Sequence, residues 1–230
     1  MLSKIKSDLL EFAVPEKVSI YQSFFKTGKG QYGEGDIFLG VSVPNNRIVA
    51  KKHKDVSLGI VEDLLNSKVH EERLLGVLIL VQKYKETNDD NIAKFYLLHN
   101  KKINNWDLVD LSADKIVGHY YFKRDRSPLH LLAKSNNIWE RRTSIVATYY
   151  FIKNNEFSDT LKVSEMLLGD SHDLIHKAVG WMLREVGKRD LNMEEEFLKK
   201  YYKKMPRTML RYAIEKFPEE KRLSYLKGLI

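Results

Sequence analysis

The sequence contains no cysteine. That excludes disulfides, thiolate metal ligands and cysteine nucleophiles together, and it suits the cytosol, where disulfides are rare. No run approaches the roughly 18 consecutive apolar residues of a membrane-spanning helix. The N-terminal MLSKIKSDLLEFAVPEK alternates charged and apolar residues at helical spacing, without a signal-peptide core or cleavage site. A cytoplasmic protein with no membrane partner is therefore expected. Strand patterning is nearly missing, and the clearest period-two run is the short FLGVSV, residues 38 to 43. G-x-S-x-G and Walker patterns are missing too, so hydrolase triads and P-loop chemistry have no support. Proline is scarce, and its five occurrences, Pro15, Pro44, Pro128, Pro206 and Pro218, fall where helices are expected to begin, a position proline tolerates.

What is present is helical periodicity and positive charge. The 230 residues are 43% hydrophobic and 30% charged, enough apolar material for a sizeable core. Apolar residues recur every three to four positions through most of the chain. The pattern predicts helices over roughly 3–12, 16–26, 44–52, 57–66, 70–86, 89–99, 105–111, 112–122, 127–133, 138–153, 160–168, 172–187, 193–203, 206–216 and 218–228. Three segments resemble one another: EERLLGVLILVQKYK (71–85), ERRTSIVATYYFIKN (140–154) and HKAVGWMLREVGKRD (176–190). Their starts lie 69 and then 36 residues apart, close to two repeats and one repeat of a helical hairpin. The expected fold is all-α: a single domain over residues 1–230, an α-solenoid of HEAT-like repeats with a concave basic face. The last forty residues or so are expected to cap the stack. A net charge of +8 and a pI near 9.3, spread along the chain, suit a polyanionic partner such as nucleic acid.

Two motifs imitate known sites. GKGQYG (28–33) spells G-x-G-x-x-G, but no βαβ unit surrounds it, and it reads as a flexible connector between helices. HDLIH (172–176) places two histidines four apart but has Asp173 where a metalloprotease carries glutamate, so Ser171 or Asp173 reads as a helix cap and no zinc site is expected.

Three stretches carry chemistry. Along 176–188, Ile175, Val179, Met182 and Val186 form one helical stripe. Lys177, Trp181, Arg184 and Lys188 form the opposite one. A tryptophan among cations, turned from the core, calls for a partner that is not core. In NNWDLVDL (104–111) Trp106 and Asp110 share a face, while Asp107 points about 100° away. In NNIWERR (136–142) Arg142 falls in a stripe with Ile138, Ile145 and Tyr149, a costly place for an arginine unless it is paired or meets an anion.

With FFKTGKGQYGEGDIFLGV, NNWDLVD, NNIWERR and KAVGWMLRE in this order, about residues 20 to 190, the sequence resembles the DNA alkylation repair glycosylases of the HEAT-like repeat class, the AlkD type. The resemblance implies excision of N3- and N7-alkylated purines, chiefly 3-methyladenine and 7-methylguanine, from duplex DNA. It implies catalytic Trp106, Asp110 and Trp181, with Arg142 and Arg184 on the DNA backbone, and a base left stacked in the duplex. Lys177 and Lys188, beside Trp181, are expected to hold flanking phosphates. Phe24 or Phe25 is a candidate for an aromatic residue bordering the lesion. The expected protein is a monomer that needs neither cofactor nor metal. An alternative is a non-catalytic HEAT-like repeat protein that binds DNA structures; a protein-interaction scaffold is another.

Overall fold

A computed structural model describes residues 1–230. It is helical throughout, and its β content is one isolated bridge between Ile37 and Val69. No helix is long and apolar enough to cross a membrane. The chain forms two compact units, Met1–Ser112 and Ala113–Ile230.

The first unit comprises α1 (Leu2–Leu10), α2 (Val18–Phe24), α3 (Val43–Lys52), α4 (Leu58–Leu65), α5 (His70–Thr87), α6 (Asp90–Leu98) and α7 (Trp106–Asp110). Its centre is α5, which packs on α3, α4, α6 and α7. Leu75, Val77, Ile79 and Leu80 of α5 are fully buried with Val61, Leu64 and Leu65 of α4. The short period-two run at 38–43 forms no strand. Its alternation is that of an extended segment whose donors go to a side chain: Leu39, Gly40 and Val41 donate their amides to the buried carboxylate of Glu71 at 2.9–3.2 Å. A carboxylate that accepts these three amides takes donors that a second strand would otherwise pair with.

The second unit opens with a π-helical turn, Asp114–Gly118, and continues through α8 (His119–Tyr121), α9 (Ser127–Ala133), α10 (Ile138–Ala147), α11 (Tyr149–Lys153), α12 (Ser158–Met166), α13 (Asp173–Gly187), α14 (Leu191–Tyr201), α15 (Arg207–Ala213) and α16 (Glu219–Lys227). The expected 138–153 helix is broken at Thr148, whose hydroxyl turns back to the Ile145 carbonyl at 2.7 Å, a bond that bends helices. The core of this unit centres on α10 and α13, with Ile145, Phe151, Ile175, Val179, Met182, Val186 and Met209 fully buried. Gly180 allows α13 to lie against α15: a Cβ there would meet the Met209 carbonyl and, at 2.5 Å, the Tyr212 Cβ. The last three helices pack onto this unit, with Tyr225 buried against Tyr202 and Phe217. The five prolines stand in the first turn or at the N-cap of a helix, as expected.

Candidate active site

α7 has five residues, too few to hold a helical turn by their own hydrogen bonds. Its surroundings hold it instead. Asn105, fully buried, accepts a hydrogen bond from the Trp106 amide at 2.8 Å, and its side-chain amide reaches Asp36 at 3.4 Å. Leu108 and Val109 are buried at 0% exposure. At the far end Ser112 donates to the Leu108 carbonyl at 2.6 Å and meets the Tyr96 hydroxyl at 2.9 Å. Trp106 and Asp110, one turn apart, are both half-buried and line one cavity of about 290 Å³.

The rest of that wall is aromatic. Phe25 stacks on Trp106 with ring centroids 5.2 Å apart and planes 14° from parallel. Phe24 meets the same indole edge-on at 5.5 Å, and Phe25 continues onto Phe38 at 5.1 Å. Phe25 is buried, whereas Phe24 is 61% exposed, so Phe24 is the ring at the rim. Three acids line the cavity: Glu71, Asp107 and Asp110. Glu71 is occupied by backbone amides. Asp107, 4% exposed, accepts a 2.8 Å hydrogen bond from His70 Nε2. Asp110 is thus the half-buried carboxylate of the three. Asp107 belongs to a buried row of alternating charge, Arg73–Asp36–His70–Asp107, with Arg73 Nη2 2.7 Å from Asp36 and His70 Nδ1 3.5 Å from it. Burial alone would lower the His70 pKa, but the charge and hydrogen bond of Asp107, reinforced by Asp36, outweigh it and raise it to about 9. The imidazole is therefore a cation at neutral pH.

On the second unit, α13 presents the two stripes read from the sequence. Ile175, Val179, Met182 and Val186 are fully buried; Trp181 and Arg184 are half-buried and Lys188 is exposed. Trp181 lies beside Tyr149, with centroids 5.8 Å apart. Each cation of the outer stripe has a carboxylate neighbour: Lys177 with Asp173 at 2.7 Å, Lys188 with Glu185 at 2.5 Å, and Arg184 with Glu215. The Lys177–Asp173 pair is exposed and of a kind that contributes about 0–1 kcal/mol, whereas Glu185 is buried and Arg184 largely so.

A comparison of the whole sequence with known families matches the DNA alkylation repair enzymes over residues 5–217. The chain belongs to that family. Among solved structures, a "Predicted DNA alkylation repair enzyme" from Enterococcus faecalis aligns with a TM-score of 0.71 at 16% identity, covering 90% of this chain and 97% of the other. AlkD2 from Streptococcus mutans aligns with a TM-score of 0.56 at 17% identity, covering 89% and 99%. At these identities the likeness concerns the fold. A search of curated proteins gave no match.

Within this alkylation repair enzyme, the first unit brings Trp106 and Asp110 together, while Trp181, Lys177, Arg184 and Lys188 stand on the second. Arg142 is held within the fold. It is 4% exposed and its guanidinium donates to the Leu174 carbonyl, tying α10 to the start of α13. An arginine in an apolar stripe here has a partner inside the fold. Arg142→Ala is expected to lower stability by about 1 to 3 kcal/mol through the unsatisfied carbonyl, with duplex affinity of the folded protein changed by less than about threefold. Thermal unfolding and fluorescence anisotropy check this, and a large loss of affinity at unchanged stability would return the side chain to the phosphates. GKGQYG is a connector, as read, between α2 and α3. In HDLIH the cap is His172 rather than Ser171 or Asp173: its Nδ1 accepts from the Leu174 amide at 3.1 Å. His176 bonds to the Asp170 carbonyl, and no group of residues suited to a metal ion occurs.

Sequence reasoning missed His70, Asp36 and Glu71. Their roles depend on partners 30 to 69 residues away, beyond any helical period. The one local signal was a His-Glu-Glu-Arg run opening α5, an unusual charge density for a helix that lies in the core.

Proposed function

We propose that this enzyme is a DNA glycosylase that hydrolyses the N-glycosidic bond of cationic N3- and N7-alkylated purines, 3-methyladenine and 7-methylguanine, in duplex DNA, as a step of base excision repair. The observation that carries the reading is a half-buried carboxylate, Asp110, set one turn from Trp106 on the aromatic wall of a single cavity. An alkylated purine already bears a positive charge, so it leaves neutral with the electron pair of the broken C1′–N bond, and no general acid is required. The sugar becomes oxocarbenium-like. A carboxylate opposite C1′ stabilises that cation and orients the water whose oxygen forms the new C1′ bond, with its proton passing to Asp110 or solvent. The face of Trp106 adds a cation–π attraction of roughly 0.5 to 2 kcal/mol. Trp181, the half-buried ring on the second unit, is assigned to a deoxyribose of the bound duplex, and Lys177, Arg184 and Lys188 to its phosphates.

Affinity for undamaged duplex should then be mainly electrostatic and nearly indifferent to sequence. The logarithmic dependence of the binding constant on salt is expected to have a slope of about −3 to −6, from three to seven neutralised phosphates. Titration of labelled duplex at several salt concentrations measures it. A flat dependence would replace the DNA reading with a protein-interaction scaffold.

A further inference from the structure

The helix that bears Trp106 and Asp110 is held in place by a charge the reaction does not use. We propose that His70 is a positioning residue: through Asp107 and through Phe25 it sets where Trp106 and Asp110 stand in the cavity. The kinetic part of this inference rests on the glycosylase reading; the geometry does not.

Two routes run from His70 to the site. The first is the 2.8 Å hydrogen bond from its Nε2 to Asp107, the residue between Trp106 and Leu108. With Asp107 also accepting the Leu108 amide at 2.9 Å, this side chain pins the first turn of α7 to α5. The second is a stack of rings: Phe25 lies 4.7 Å from the imidazole and 5.2 Å from the Trp106 indole, and Phe38 covers the imidazole at 4.7 Å. A shift of the imidazole moves both the backbone of α7 and the ring beneath the indole.

Charge balance explains why the imidazole must be protonated. The charged groups facing His70 are Asp107 from α7, Asp36 from the connector after α2, and Arg73 from its own helix. The neighbouring Glu71 is taken by the 39–41 amides, and the end of α2 and the extended segment offer the rings of Phe25 and Phe38. Two carboxylates face one guanidinium, so the buried group is neutral only with an imidazolium. Asp107 is thereby neutralised in place.

The test compares His70→Gln with the double variant His70→Gln, Asp107→Asn, alongside the wild type, in single-turnover release of 3-methyladenine from duplex DNA. N3-alkylated adenine, unlike N7-alkylated guanine, has no ring N–H to lose. His70→Gln keeps a donor but leaves an unbalanced carboxylate, and the rate is expected to fall by about 10- to 100-fold, the scale of a small displacement of the reacting groups. The double variant restores charge balance and a hydrogen bond between neutral amides, and should regain about tenfold over the single one. The wild-type rate should fall as pH passes about 9 while far-UV circular dichroism and duplex affinity hold; in the double variant that fall should vanish. Nuclear magnetic resonance gives a readout independent of catalysis and of variant folding: the Trp106 indole N–H signal of the wild type should move with the midpoint at which His70 loses its proton. An indole signal that ignores the His70 titration, or a double variant no faster than His70→Gln, overturns the inference. If the wild type releases no base at all, the glycosylase reading fails and the indole titration still decides the positioning role.

Discussion

Asp110→Asn should lower release of 3-methyladenine by about 10² to 10³, the loss usual when one preorganised transition-state partner is removed. The amide keeps the size of the side chain and removes the charge that meets the oxocarbenium ion. Because Asp110 is half-buried at the last residue of α7, the fold should tolerate the change. Duplex affinity should hold or rise slightly, since a negative charge near phosphates is gone. Single-turnover rates with excess enzyme, paired with anisotropy and melting curves, separate these effects. A loss of less than about tenfold at full stability would remove Asp110 from the transition state.

Asp107→Asn should behave in the opposite manner, as a change in stability first. From the sequence, Asp107 is one position off the site face, which makes its variant look like a harmless control. The structure corrects this: Asp107 is buried and ion-paired with His70. Holding the His70 proton to about 9 rather than 6.5 corresponds to roughly 3 kcal/mol. The sign follows from linkage. A histidine whose folded pKa is raised stabilises the fold fully below the unfolded value, and that contribution disappears as pH rises through the folded value. The wild type should therefore lose stability between about pH 6.5 and 9. Asp107→Asn should be less stable by up to roughly 3 kcal/mol at pH 6, or about 6 to 12 °C in melting temperature, and closer to wild type above pH 9. Urea unfolding of both proteins across this range checks the prediction. A penalty equal at pH 6 and pH 9.5 would mean that His70 is not the cation Asp107 holds.

These two aspartates show what local sequence can and cannot carry. The faces of α13 were legible because they repeat at the helical period, and burial of Val179 opposite half-exposed Trp181 follows from spacing alone. The pairing of Trp106 with Asp110 is likewise one helical turn. By contrast, Phe24 and Phe25 reach Trp106 from more than 80 positions away, and nothing periodic links FFKTG to NNWDLVD. Arg142 is a case where the physical rule was sound and its branch was open: an arginine in an apolar stripe needs a partner, and the partner is the Leu174 carbonyl 32 residues on. FLGVSV shows the same limit. Alternation reports an extended chain with one buried side, and only the fold reveals that Glu71, not another strand, takes its amides.

A glycosylase of the kind proposed breaks the bond to a base already carrying positive charge. Parallel time courses on matched duplexes bearing 3-methyladenine, uracil or no lesion test it most directly, with free base separated from DNA. The site described here should release 3-methyladenine and leave uracil in place, because a neutral base needs leaving-group help that one carboxylate does not supply. Release of uracil at a comparable rate, or no release of 3-methyladenine by a protein that binds the duplex, would contradict it.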